Sequence, residues 1–244
     1  MPLSGPPQRK SNIGANFSLP SGSETPSGLE ALRANEKARL YIEMADRYLD
    51  AIGYTEHGFR HCDIVSRTAE HILLKLSYPE KDAELAAVAG YLHDIGNMLG
   101  RSHHHRMGAL LAKEVLDDLG FDIRDISRVM TAIIIHEEDE GSIPDTVSAA
   151  LLIADKSDVH RSRVRNPSGV GTDIHDRVNY AATESELSVE PEKKLITLSV
   201  AIDTRISQVI EYFEIFLSRM IICRKAAEFL KTDFDLYINE TKFL

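Results

Sequence analysis

Apolar residues recur at helical spacing along most of the chain, and the period shortens to two in the last quarter. Residues 1–28 carry neither pattern. They are rich in Pro, Ser and Gly and are expected to form a disordered tail. From Leu29 to Ile52 the spacing predicts a helix, with Leu32, Ala38, Leu40, Met44 and Leu49 among its apolar positions and Gly53 at its end. The next predicted helix runs from about His57 to Leu76 and stops before Pro79. A third closes on His93-Asp94, with Gly96 and Gly100 marking its exit. Further helices are predicted from His103 to Leu119 and from Ile123 to His136. Ser142-Ile143-Pro144-Asp145 resembles a capped helix start with proline in the first turn, and the helix behind it carries Asp155.

Near residue 178 the pattern alternates. Val178 to Val189 and Lys194 to Ile202, separated by Glu190-Pro191-Glu192-Lys193, predict a β-hairpin. A long helix is expected from about Thr204 to Leu230. Its apolar positions, Val209, Phe213 and Phe216 among them, are too widespread for one buried face. A dimer interface and packing between the core and the hairpin explain that breadth equally well. Phe234, Leu236 and Ile238 then alternate with polar neighbours and predict a last strand. The expected fold class is mainly α. A helical core spans 29–177, and a hairpin, long helix and final strand over 178–244 pack on it.

The 244 residues suffice for one large domain, or for a core with an appendage. No apolar run is long enough to cross a membrane, and the first residues lack an apolar signal region. Cys62 and Cys223 are the only cysteines and read as reduced core thiols, so the expected location is cytoplasmic. The net charge of −10 argues against broad nucleic-acid binding. It leaves room for a small anionic substrate held by a local basic cluster.

The chemistry concentrates on His93-Asp94, which closes the apolar run Ala86 to Leu92. Burying an imidazole and a carboxylate is costly unless something compensates them, and a divalent metal does so. His61, His104, His136 and Asp155 each share a helical stripe with apolar neighbours and therefore point inward. One inward histidine is usually a satisfied core residue. Four, with two aspartates, on separate helices point to convergence on one site. Imidazole with carboxylate suits Fe, Mn, Zn, Co or Ni.

His61 with Val65 four residues later, then His93-Asp94, His104, His136 and Asp155, resembles the HD-domain superfamily of metal-dependent phosphohydrolases. The resemblance covers about residues 55 to 166 and implies an HD helical core. His104-His105-Arg106-Met107-Gly108-Ala109 is also similar to a motif of the HD-GYP subgroup, which cleaves cyclic dinucleotides. The chain departs from that subgroup: Ile135 replaces the first of a double histidine, and Ile143 stands where tyrosine would be. The departure removes the basis for a cyclic-dinucleotide substrate and a third metal. The resemblance implies two divalent metals. One is held by His61, His93, Asp94 and Asp155, and the other by His104 and His136, with Asp94 bridging. A hydroxide activated between them is expected to attack a small phosphate ester, a nucleotide among the candidates.

Asp94 is therefore counted among the catalytic residues. Lys156 and Arg161, just past Asp155, are the candidates for holding the phosphate, with Arg163 and Arg165 behind them. His57 lies one turn before His61 as a further ligand, a substrate contact or a surface residue. His103 and His105 flank the predicted face of His104, and His105 competes with it if the helix register shifts by one. Glu137 is expected to support His136 at the start of an acidic connector, and His175-Asp176 reads as structural. The competing functions are a non-catalytic regulatory module and a di-iron oxygenase.

Overall fold

The structure is a computed structural model that describes residues 28–137, 142–166 and 174–244. The expected N-terminal tail, apart from Gly28, and most of the acidic connector lie outside the described residues. Two helices replace the single one expected over 29–52: α1 (Gly28–Ala34) and α2 (Glu36–Ala51). The break falls at Asn35, whose side chain accepts from the Ala38 amide at 2.9 Å and caps α2. α3 (Phe59–Lys75) and α4 (Glu80–Leu92) follow, and a 3-10 turn, Ile95–Leu99, continues from α4 through His93-Asp94. Next come α5 (His104–Asp118), α6 (Ile123–Ile135) and α7 (Thr146–Ser157). The cap of α7 is Asp145, which accepts from the Ser148 amide at 2.8 Å. Pro144 therefore precedes the cap instead of sitting in the first turn.

α4 is the centre of the helical core. Leu85 to Leu92 are all buried, because α3, α6 and α7 pack around it. Small residues permit that crowding. A Cβ on Gly90 would stand 2.9 Å from the Ser66 backbone of α3. Gly96 sits tighter still against α5, where a Cβ would meet the His104 carbonyl at 1.9 Å and the Gly108 amide at 2.4 Å.

The C-terminal part begins with a helix where a strand was expected. α8 (Ile174–Ala181) buries Val178 and Ala181, one turn apart, and β1 (Ala182–Glu190) starts only after it. β1 and β2 (Leu195–Ile202) form the predicted antiparallel hairpin, with Leu187 opposite Leu198. α9 (Val209–Phe229) then crosses over to β3 (Asp233–Ile238), which pairs parallel to β2 with Leu198 opposite Leu236. A short β4 (Thr241–Lys242) completes the sheet order β1-β2-β3-β4.

α9 packs on both α7 and β3 through Tyr212, Phe216, Met220, Cys223 and Ala226. Contacts within the chain account for these positions, whereas Ile210, Leu217, Ile221 and Phe229 of the same helix are exposed. One continuous cluster of buried apolar residues runs from Leu29 to Ile238. No helix among the described residues is long and apolar enough to cross a membrane.

Gly96→Ala is expected to destabilise the fold by about 3 kcal/mol, since backbone and not a flexible side chain blocks the added methyl. A urea titration measures it. An unchanged midpoint would contradict the close approach of α5 to the His93–Gly96 backbone.

Candidate metal centre

The ends of five helices meet at one buried point. His93 and Asp94 follow α4, His136 follows α6, and Asp155 lies in the last turn of α7. These three C-terminal ends are the negative ends of their helices and favour a cation. His61 comes from the first turn of α3, and His104 opens α5. All four imidazoles and Asp94 are nearly inaccessible to solvent. All six predicted metal-site residues therefore come together.

The tautomers follow from the hydrogen bonds. His61 Nδ1 lies 2.7 Å from Asp158 Oδ2. His93 Nδ1 lies 2.8 Å from the Gly90 carbonyl, His136 Nδ1 2.6 Å from the Ile133 carbonyl, and His104 Nδ1 3.2 Å from the Arg101 carbonyl. Those oxygens only accept, so each Nδ1 carries a hydrogen and each ring turns its Nε2 inward. The Nε2 atoms of His61 and His93 are 3.2 Å apart, and those of His104 and His136 are 3.1 Å apart.

Asp94 stands between the two pairs and faces each with a different oxygen. Its Oδ2 is 3.2 Å from His93 Nε2 and 3.7 Å from His61 Nε2. Its Oδ1 is 3.4 Å from His104 Nε2 and 3.9 Å from His136 Nε2. Asp155 Oδ1 approaches His61 Nε2 at 3.4 Å. His61, His93 and Asp155 offer donor atoms within 4.8 Å of one another, and so do His93, Asp94 and His136. The donor chemistry fits divalent metal, and His61, His93, Asp94, His104, His136 and Asp155 are the residues that would hold it.

Electrostatics point the same way. Burial opposes ionisation of Asp94, yet His93 and His104 hold its carboxyl well below the usual range. Asp155 is likewise held ionised against burial, by Lys156 and the neighbouring histidines. Burial keeps His136 neutral, with His93 and Lys156 adding to the effect. Burial alone would depress His93, but Asp94 and Asp155 outweigh it and hold the ring up at about 10. A proton on His93 is thus the compensation that a metal would replace.

Several supporting residues carried no periodic signal. Asn97 Nδ2 donates to both the carbonyl and Oδ1 of Asp94, each at 2.9 Å, and fixes that carboxylate. Asp158 orients His61 and is itself forked by Arg60 at 2.9 and 3.2 Å. It lies just past the end of α7, where helical spacing gives no guide.

His104 faces His136, and His104, His105 and Glu137 form a further group of donor atoms within 4.8 Å of one another. His105 is buried beside His104, edge to face at 5.6 Å. Cys62 is buried with Sγ near the His57 carbonyl and takes no part. His57 packs edge-on against His61, and burial with Arg163 nearby lowers its pKa. Glu137 Oε2 reaches His104 Nε2 at 3.4 Å, nearer than the expected His136 at 3.9 Å.

The basic candidates divide. Lys156 Nζ sits at the centre, 2.5 Å from Asp155 Oδ2 and 2.8 Å from the His136 carbonyl. Arg161 is not brought to it. Its guanidinium lies over the Tyr180 ring at 5.3 Å, because the 3-10 turn Arg161–Arg163 directs it toward α8. Arg165 is engaged with Asp46. Arg163 takes the place expected of Arg161, lining the opening onto Asp94, Asp155 and His136 together with Arg101 and Lys156.

Asp158→Asn is expected to weaken metal binding about 10- to 100-fold, since it removes the anion that orients His61. Metal titration of the purified protein reads this directly. Unchanged affinity would show that His61 is not a ligand.

Residues 58–165 match the family model described as HD domain. Over 194 residues the chain is 27% identical to the uncharacterized protein MJ1020 of Methanocaldococcus jannaschii, covering 70% of this chain and 74% of that protein. The matched segment, residues 58–165, is similar to HD domains and contains all six converging residues.

Proposed function

We propose that this chain is a metal-dependent phosphohydrolase that cleaves a small phosphate ester. The observation that carries the reading is the placement of Asp94, which presents one oxygen to each of two histidine pairs inside a buried cluster. Divalent ions bound there would polarise phosphoryl oxygens and make a coordinated water more acidic.

The remaining work falls to residues of the chain. Asp94 and Asp155 stay ionised, and the inward imidazoles stay aligned through their Nδ1 partners. Lys156 is held by Asp155 and the His136 carbonyl, so its charge is fixed at the opening where a phosphoryl oxygen would enter. Arg101 lies 2.9 Å from His104 Nε2 and 3.6 Å from Glu137, and Arg163 is braced by the Asp158 carbonyl at 2.9 Å. Both guanidiniums suit an oxyanion at the rim. The adjoining cavity holds about 320 Å³, at the small end for a ligand site. Exposed Tyr54 on its wall suits the flat body of a nucleotide.

The test is phosphate release by the metal-loaded protein from a panel of nucleotides, sugar phosphates and phosphodiesters. Turnover is expected, with Asp94→Ala losing at least about 10²-fold. Metal retained without turnover on any ester would favour a regulatory module instead. Oxygen-dependent turnover by the iron form would favour oxidative chemistry.

A further inference from the structure

Leu40, Met44 and Tyr48 recur every four residues along α2, and Ile52 continues the stripe at its end. Each is 38% to 51% exposed. α5 runs antiparallel beside this stripe. Lys37, near the start of α2, pairs with Glu114 and Asp118, near the end of α5. Tyr48 Oη, near the end of α2, would lie 3.9 Å from a Cβ on Gly100, shortly before α5 begins. One and two turns on from Lys37, Leu40 and Met44 therefore stand beside Leu110 and Met107, one and two turns back from Glu114. Both of these α5 residues are exposed as well. The result is an apolar face built from two helices, and an exposed patch of this kind marks an interaction site.

We propose that this face is the interface of a homodimer, in which the α2 helices of two copies pair antiparallel across a two-fold axis near Met44. Charge selects the occupant. Arg39, Glu43, Arg47 and Asp50 run along the flank of the stripe away from α5, and their signs alternate. Laid antiparallel about its middle, that row meets its own complement. Glu43 of one copy faces Arg47 of the other, Arg39 faces Asp50, and Glu36 falls past the end of the facing helix. A two-fold contact requires such self-complementarity. Within one chain Glu43 and Arg47 are 3.9 Å apart and largely exposed, a weak pair that costs little to exchange.

The same axis brings the two α5 helices onto one side, so that four helices surround an apolar seam that includes Met107 and Leu110. α9 also exposes Ile210, Leu217 and Ile221, but Glu214 falls between the first two and interrupts that stripe. Ile52, at the end of the α2 stripe, lines the cavity beside the metal centre, so the second copy approaches the mouth of that cavity. The pairing does not depend on which reaction the centre performs.

Light scattering of the full chain on a sizing column measures its mass in solution, and wild type is expected at twice the chain mass. Met44→Glu places two carboxylates at the axis and should raise the dimer Kd at least about 100-fold. Met44 is exposed, so circular dichroism should show the fold intact. Leu217→Glu, on α9, should leave the dimer as it is. Glu43→Arg and Arg47→Glu each set like charges opposite one another and should each weaken the dimer about tenfold. Mixed in equal amounts, these two variants should regain the wild-type affinity, because two arginines on one copy then face two glutamates on the other. A monomeric wild type, a dimer that survives Met44→Glu, or one that Leu217→Glu breaks would overturn the proposal and leave the face to a different partner. Failure of the mixture to recover would overturn the antiparallel pairing.

Discussion

The architecture depends on one constraint: buried lone pairs must be given a cation. Four imidazoles anchored through Nδ1 face one another through their Nε2 atoms, and two carboxylates share the same space. Without a cation this arrangement costs desolvation, which hydrogen bonds from Asn97, Lys156 and Arg101 offset only in part. The fold nevertheless assembles it with care for orientation. Three helix C-terminal ends surround it, Asn97 fixes Asp94, and Asp158 fixes His61. A core built for stability alone would have no reason to aim six acceptors at one point.

That convergence dictates how the core packs. His93 and Asp94 must leave α4 directly into the site, so α4 is buried on every side and its neighbours come to backbone distance. Gly90 and Gly96 are the positions where no side chain fits. The C-terminal segment then closes one side. α9 packs against α7 and under the sheet, and so brings residues from beyond the HD segment to the cavity that opens on the cluster.

What the sequence revealed follows from where the physical signal lies. The six converging residues were legible because each sits on an apolar helical stripe, and inward direction follows from helical period alone. The hairpin and last strand were legible from strict alternation. Asn35 was missed because a polar cap inside an otherwise continuous amphipathic pattern does not interrupt the period. Val178 and Ala181 were assigned to a strand because a four-residue stretch fits both periods. Arg161 and Arg163 show a different limit. Charge and proximity to Asp155 named the basic cluster, but only the 3-10 turn decides which guanidinium faces the site.

The central claim is that the inward Nε2 atoms are metal ligands and not a proton-sharing core. Anomalous scattering from crystals grown with saturating divalent metal tests it most directly. The account predicts density flanked by the two oxygens of Asp94, with His61 and His93 on one side and His104 and His136 on the other, at Nε2–metal distances of about 2.0–2.2 Å. No metal density at saturation, with the Nε2 pairs still at hydrogen-bond distance, would mean that protons hold the cluster together and would contradict the account.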